Sequence, residues 1–122
     1  MGRTFMPSYT SASELAALQL QGLKWTVSHA YNGSEYYRST FDRAGVKPDD
    51  IKTLDDLRRL PFVTAADLQA GYPFPLRSVP FEDIVRIHAS SGTTGKRKVM
   101  SYTAKDIDDW ADMFARCYEL AG

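Results

Sequence analysis

The chain has 122 residues, of which 43% are hydrophobic and 25% charged, and its 15 basic and 15 acidic residues give zero formal net charge at pH 7. This composition is typical of a folded globular protein and is too apolar for a disordered one. The balanced charge argues against a broad nucleic-acid-binding or membrane-binding surface. Because the sequence has no long apolar segment, no signal-peptide pattern and a single cysteine, we expect a cytoplasmic protein without disulfides.

Four S/T-x-x-D/E patterns predict where helices begin, because the hydroxyl caps the first turn and the acid favours its positive end. These patterns start at Ser11, Thr53, Thr64 and Thr103. They predict helices over about 12–31, 54–60, 65–70 and 104–121. Apolar spacing adds a helix over about 34–44 that ends at Gly45, a residue type that favours helix ends.

Apolar stripes predict which helix faces are buried. The first helix carries one stripe through Val27 and a second through Trp25, so we expect contacts on two sides. The 34–44 helix presents Tyr37, Phe41 and Ala44 to the core. The last helix carries Ile107, Trp110, Phe114 and Cys117 along one face, so Cys117 is expected to pack in the core rather than act as a nucleophile.

Residues 71–82 contain Pro73, Pro75 and Pro80 and are predicted to form an extended linker. The β-branched run that ends at His88 predicts a buried strand over 84–88, and alternation predicts a second strand over 98–102. The predicted fold is α/β, and α+β within this stretch: helical residues 1–82, then strand, loop, strand and helix over 83–122. His88 is expected either to face a ligand or to be structural.

The loop between the two strands reads Ser90-Ser91-Gly92-Thr93-Thr94-Gly95-Lys96. It supplies four hydroxyls, two glycines and a lysine without a carboxylate, which is the chemistry that a triphosphate requires. It is not a Walker loop, since Ser90 replaces the first glycine and Arg97 replaces the final Ser/Thr. The alternative is a flexible connector between strands.

Together with His88 and Ala89, this run resembles the phosphate-loop signature of the adenylate-forming enzymes, and most nearly that of the phenylacetate-coenzyme A ligase family. Shorter segments resemble that family's amino-terminal region in the same order. They are Tyr36-Tyr37-Arg38, residues 41–46, residues 54–57, Leu60-Pro61-Phe62, Tyr72-Pro73-Phe74, Val79-Pro80 and residues 85–88. Arg97 departs from the pattern, because proline is expected there, while Lys98 falls at the family's lysine position.

The resemblance implies the amino-terminal portion of an AMP-forming aryl- or acyl-CoA ligase and the start of its large domain. The intact enzyme would use ATP, Mg²⁺ and coenzyme A to convert an aromatic or other small carboxylic acid into its thioester. Ser90, Ser91, Gly92, Thr93, Thr94, Gly95 and Lys96 would hold the β- and γ-phosphates. No catalytic residue and no metal ligand is expected within these 122 residues.

Two alternatives remain open at the level of sequence. One is a truncated, non-catalytic module that binds a partner, and the other is an adenylating ligase for a different carboxylate. The 122-residue chain alone is expected to be inactive. It is also expected to self-associate through the strand pair or to leave that region mobile, because Val85 and Ile87 would lack covering neighbours.

Overall fold

The computed structural model describes residues 7–92 and 97–122, and the order of its elements confirms the predicted α+β arrangement. The helices are α1 (Ala12–Gly33), α2 (Glu35–Arg43), α3 (Ala65–Ala70) and α4 (Ala104–Ala121), and the strands are β1 (Ile84–Ala89) and β2 (Val99–Thr103). Short 3₁₀ turns lie at Pro48–Asp50, Leu54–Arg59 and Phe81–Asp83. The predicted helix at 54–60 is therefore a 3₁₀ segment, and the predicted linker ends in a turn. None of the described helices is long and apolar enough to cross a membrane.

The predicted caps define the helix starts. At α4, the Thr103 hydroxyl oxygen accepts from the Asp106 N–H at 3.2 Å, and the Asp106 carboxylate accepts from the Thr103 N–H at 2.8 Å. Thr64 and Asp67 form the same reciprocal pair at α3. At α1, Ser11 caps the helix, but the Glu14 carboxylate accepts from Thr10 instead.

The core lies where α1 and α2 meet the turn that follows α2. Val27, Phe41, Val46 and Ile51 are buried there together. Gly45 adopts a φ of 67°, and this left-handed residue lets the Val46 N–H reach the Phe41 carbonyl at 3.0 Å. The prediction that Ala44 faces the core is wrong, because α2 ends at Arg43 and Ala44 is an exposed C-cap.

The end of α1 lies directly against the segment that leads into β1. A Cβ placed on Gly33 would come within 1.9 Å of the Ser78 carbonyl oxygen, so only glycine permits this approach. This contact ties the helical region to the residues that precede the strand pair.

The strands β1 and β2 form an antiparallel pair in which Ile87 lies opposite Ser101 and Ala89 opposite Val99. Helix α4 packs on one face of the pair, whereas on β1 the side chains of Val85 and Ile87 are 61% and 50% exposed. Every residue from 111 to 122 is exposed, including Cys117, so the predicted core position of Cys117 is wrong.

Candidate phosphate-binding loop

The candidate site is the loop that joins β1 to β2. The structure describes Ser90, Ser91 and Gly92 on its first side and Arg97 and Lys98 on its second. The other predicted site residues, Thr93, Thr94, Gly95 and Lys96, lie outside the described residues.

Ser90 and Lys98 close the base of the loop, one step beyond the Ala89–Val99 pair of the sheet. The Ser90 N–H donates to the Lys98 carbonyl oxygen at 3.0 Å. The Lys98 N–H donates to the Ser90 Oγ, also at 3.0 Å. The two ends of the loop are therefore joined by two hydrogen bonds, one of which uses a side chain that the sequence assigned to phosphate.

Gly92 has a φ of 71°, which is the left-handed conformation that side-chain-bearing residues rarely adopt. Ser91, beside it, is exposed. The backbone therefore changes direction at Gly92, three residues after the end of β1. The predicted role of this glycine in backbone conformation agrees with the structure.

Beneath the loop, His88 lies in a cluster of aromatic side chains between the hairpin and α4. Its ring centroid is 4.9 Å from that of Tyr102 and 5.3 Å from that of Trp110. Trp110 in turn lies 5.7 Å from Tyr102 and 5.9 Å from Phe114. This packing favours the structural alternative for His88. Sequence reasoning placed Trp110 and Phe114 on one helix face but missed their meeting with His88.

The basic side chains at the exit of the loop are exposed, whereas several acidic side chains of α4 form hydrogen bonds or ion pairs. Arg97 and Lys98 are exposed at the exit of the loop. Three acidic residues of α4 have local partners: Asp106 belongs to the helix cap, Asp109 pairs with Lys105, and Asp112 pairs with Arg116 at 3.0 Å. Within residues 7–92 and 97–122, no group of three or more His, Cys, Asp or Glu side chains is placed to hold a metal ion.

Two concave surfaces lie away from the loop and were not predicted. One, of about 520 Å³, lies between Trp25 and His29 of α1, the 74–79 segment and β2. The other, of about 700 Å³, is lined mainly by apolar side chains such as Val27, Phe41 and Phe62. Among the loop residues that the structure describes, Ser90, Ser91, Gly92, Arg97 and Lys98 are absent from both linings.

The sequence is closely similar to those of several curated enzymes. It is 55% identical over 112 residues to phenylacetate-coenzyme A ligase from Escherichia coli strain K12, 53% identical over 112 residues to that from Aromatoleum evansii, and 45% identical over 109 residues to that from Thermus thermophilus. The chain belongs to the phenylacetate-coenzyme A ligase family. The matches cover 92%, 92% and 89% of this chain but only 26%, 26% and 24% of the relatives, so the chain spans about a quarter of their length. No family model matches the sequence.

Solved structures of another CoA ligase are similar in fold to this chain. A 2-hydroxyisobutyryl-CoA ligase in complex with an acyl-adenylate (2-HIB-AMP) and CoA superposes with a TM-score of 0.69 and 31% identity over 80% of this chain and 22% of that chain. An open conformation of the same enzyme superposes with a TM-score of 0.66 and 26% sequence identity, and the match covers 83% of this chain and 27% of that chain. The fold of this family member is therefore that of a segment of an acyl-CoA ligase.

Proposed function

We propose that this chain supplies the phosphate-binding segment of an AMP-forming phenylacetate-CoA ligase. The observation that carries the proposal is the 55% identity to the Escherichia coli enzyme over 112 residues. A match of that length within a chain of 122 residues includes the loop at residues 90–96, wherever the match begins. The hydroxyls, glycines and lysine of the loop then have a specific ligand, the triphosphate of ATP.

The chemistry explains why such a loop is needed. In the proposed first step, the carboxylate oxygen of the acid attacks the α-phosphate of ATP, and pyrophosphate leaves. In the second, the CoA thiol attacks the acyl carbon, and AMP leaves. Because a carboxylate approaches an already anionic phosphate, donors fixed around the departing β- and γ-phosphates stabilise the transition state of the first step.

The remaining parts of the proposal concern organisation. Residues 1–82 form the helical region that precedes the nucleotide-binding part, and residues 83–122 begin that part. Mg²⁺ would neutralise phosphate charge when bound, and we assign it no residue among those described. Since the proposed enzyme uses ATP and CoA, we place it in the cytoplasm, without nucleic-acid or membrane partners.

We also propose that the isolated chain self-associates through its hairpin. Val85, Ile87 and Met100 are at least half exposed on the two strands. Among the described residues the sheet contains only β1 and β2, so each strand has an edge without a described partner. Exposed apolar side chains beside unpaired N–H and C=O groups favour pairing with another strand.

A hybrid enzyme tests the proposed function. This chain replaces the matching segment of the Escherichia coli ligase, and phenylacetate-dependent exchange of pyrophosphate into ATP is measured. Thr94→Ala and Lys96→Ala in the hybrid should each raise the adenylation barrier by about 2–4 kcal/mol, as losing one preorganised donor does in other enzymes. Lys24→Ala, which removes an exposed lysine of α1, is the matched control.

Circular dichroism of each variant reports whether the fold is retained. Variants that are folded and exchange pyrophosphate at the rate of the unmodified hybrid would contradict the phosphate role and favour the connector alternative. A hybrid that folds but adenylates no acid would favour a non-catalytic module.

A further inference from the structure

The hydrogen bonds at the base of the loop depart from a regular antiparallel ladder. In such a ladder, Ser90 and Lys98 would exchange two backbone hydrogen bonds, each N–H donating to the carbonyl of the other residue. The Ser90 N–H does donate to the Lys98 carbonyl. The Lys98 N–H, however, donates to the Ser90 Oγ at 3.0 Å, so the side chain takes the place of the backbone acceptor.

Because the Ser90 Oγ replaces the Ser90 carbonyl as acceptor, the backbone after Ser90 is less constrained by the sheet. With the Lys98 N–H satisfied by the hydroxyl, the Ser90 carbonyl is released from the ladder, and the chain can leave the plane of the sheet one residue earlier. Gly92 completes the change of direction with its φ of 71°. Ser90 is thus the point at which the strand becomes the loop.

We propose that Ser90 is a positioning residue, whose Oγ fixes the first residues of the loop against Lys98 before ATP binds. This inference rests on the proposed function and reassigns one of its residues. Ser90 would act by fixing the backbone at the base of the loop and not by donating to phosphate. A loop held at its base before binding has less conformational freedom to lose when the phosphates arrive.

The two roles of Ser90 predict different kinetics. If Ser90 positions the loop, removing its hydroxyl weakens the binding of ATP equally in the ground state and the transition state, so KM rises while kcat is retained. If Ser90 instead donates to phosphate charge that develops in the transition state, kcat falls. A neutral hydrogen bond of this kind corresponds to about a three- to ten-fold effect.

The first experiment uses the 122-residue chain itself and needs no activity. Amide exchange of the Lys98 N–H is measured by NMR in the wild type and in Ser90→Ala, Ser90→Thr and Ser101→Ala. Ser90→Ala should speed Lys98 exchange about three- to ten-fold, and Ser90→Thr should restore it, since threonine keeps the acceptor oxygen. Ser101→Ala is the matched control, because it removes a hydroxyl from the same hairpin without touching Lys98.

The second experiment places the same variants in the hybrid ligase. Ser90→Ala should raise KM for ATP about three- to ten-fold with kcat changed less than about two-fold, and Ser90→Thr should behave as the unmodified hybrid. Unchanged Lys98 exchange in Ser90→Ala, or a loss confined to kcat, would overturn the positioning role. An inactive hybrid would contradict the proposed function instead, and the exchange measurement would still decide whether Ser90 holds Lys98.

Discussion

Replacing Gly33 with alanine tests the close approach between α1 and the segment before β1. Gly33 is helical, and on helix propensity alone alanine would stabilise the chain by up to about 1 kcal/mol. In the structure, the new Cβ would lie 1.9 Å from the Ser78 oxygen, 2.6 Å from its carbonyl carbon and 2.9 Å from its Cα. Helix propensity and the clash with Ser78 therefore predict opposite changes in the free energy of unfolding.

The steric effect should win. All three neighbouring atoms belong to the backbone, so no side-chain rotation relieves the clash, and an ordinary contact of 3.4 Å requires a shift of about 1.5 Å. Overpacking costs about 1–3 kcal/mol, and a clash with three backbone atoms belongs at the upper end of that range, about 2–3 kcal/mol. Set against the gain in propensity, we expect Gly33→Ala to lower the free energy of unfolding by about 1–2 kcal/mol.

Urea unfolding followed by circular dichroism measures this change. Trp25 lines the same concave surface as Gly33 and Ser78, so Gly33→Ala should also shift the Trp25 fluorescence of the folded protein. Both proteins carry Trp110→Phe in this measurement, so that only Trp25 contributes to the signal. Gly45→Ala is the control. A Cβ built on Gly45 would have no neighbouring atom within 4 Å, so only the left-handed backbone conformation, with a φ of 67°, disfavours alanine there. Gly45→Ala should lower stability by about 1–2 kcal/mol without moving the Trp25 signal. If Gly33→Ala is as stable as the wild type or more stable, with unchanged fluorescence, the backbone at Gly33 does not approach Ser78 as closely as the structure shows.

Three further predictions concern other parts of the chain. The N–H groups of Thr53 and Lys52 lower the pKa of Asp56 to about 2. The ionised Asp56 carboxylate therefore stabilises the fold fully above pH ~4, and this stabilisation is lost as the pH falls toward 2. The difference in urea midpoint between the wild type and Asp56→Asn should shrink to zero over that range. A difference that stays constant with pH would contradict the lowered pKa. Thr103→Ala should cost about 1 kcal/mol in urea unfolding by removing the α4 cap, and equal stabilities would show that the cap contributes nothing. Val85→Lys with Ile87→Lys should reduce self-association in sedimentation velocity, whereas strong hydrogen-exchange protection of residues 84–102 in a wild-type monomer would exclude an interface there.

The features that could be predicted from the sequence are those set by neighbouring residues. The Thr103–Asp106 cap depends on groups three positions apart, and the left-handed turn at Gly45 depends on the freedom of one residue. Helix starts and the end of α2 therefore followed from local chemistry. The loop at residues 90–96 was assigned to phosphate in the same way, from a dense run of hydroxyls, glycines and a lysine, and that assignment stays a prediction.

The features that could not be predicted depend on where distant elements lie. Cys117 shares a helix face with Trp110, but its burial requires another element opposite the last turns of α4, and residues 111–122 are all exposed. The contact between Gly33 and Ser78 joins residues 45 positions apart. Ser90 was assigned to phosphate by residue type, and its bond to Lys98 becomes visible only when the register of the strands is known.

Phenylacetate-dependent exchange of pyrophosphate into ATP by the hybrid ligase tests the central claim most directly. The claim is that this chain can stand in for the corresponding quarter of a phenylacetate-CoA ligase and bind the ATP phosphates there. We expect exchange that requires the acid and falls sharply with Lys96→Ala but not with Lys24→Ala. A folded hybrid without acid-dependent exchange, or one indifferent to Lys96→Ala, would contradict it.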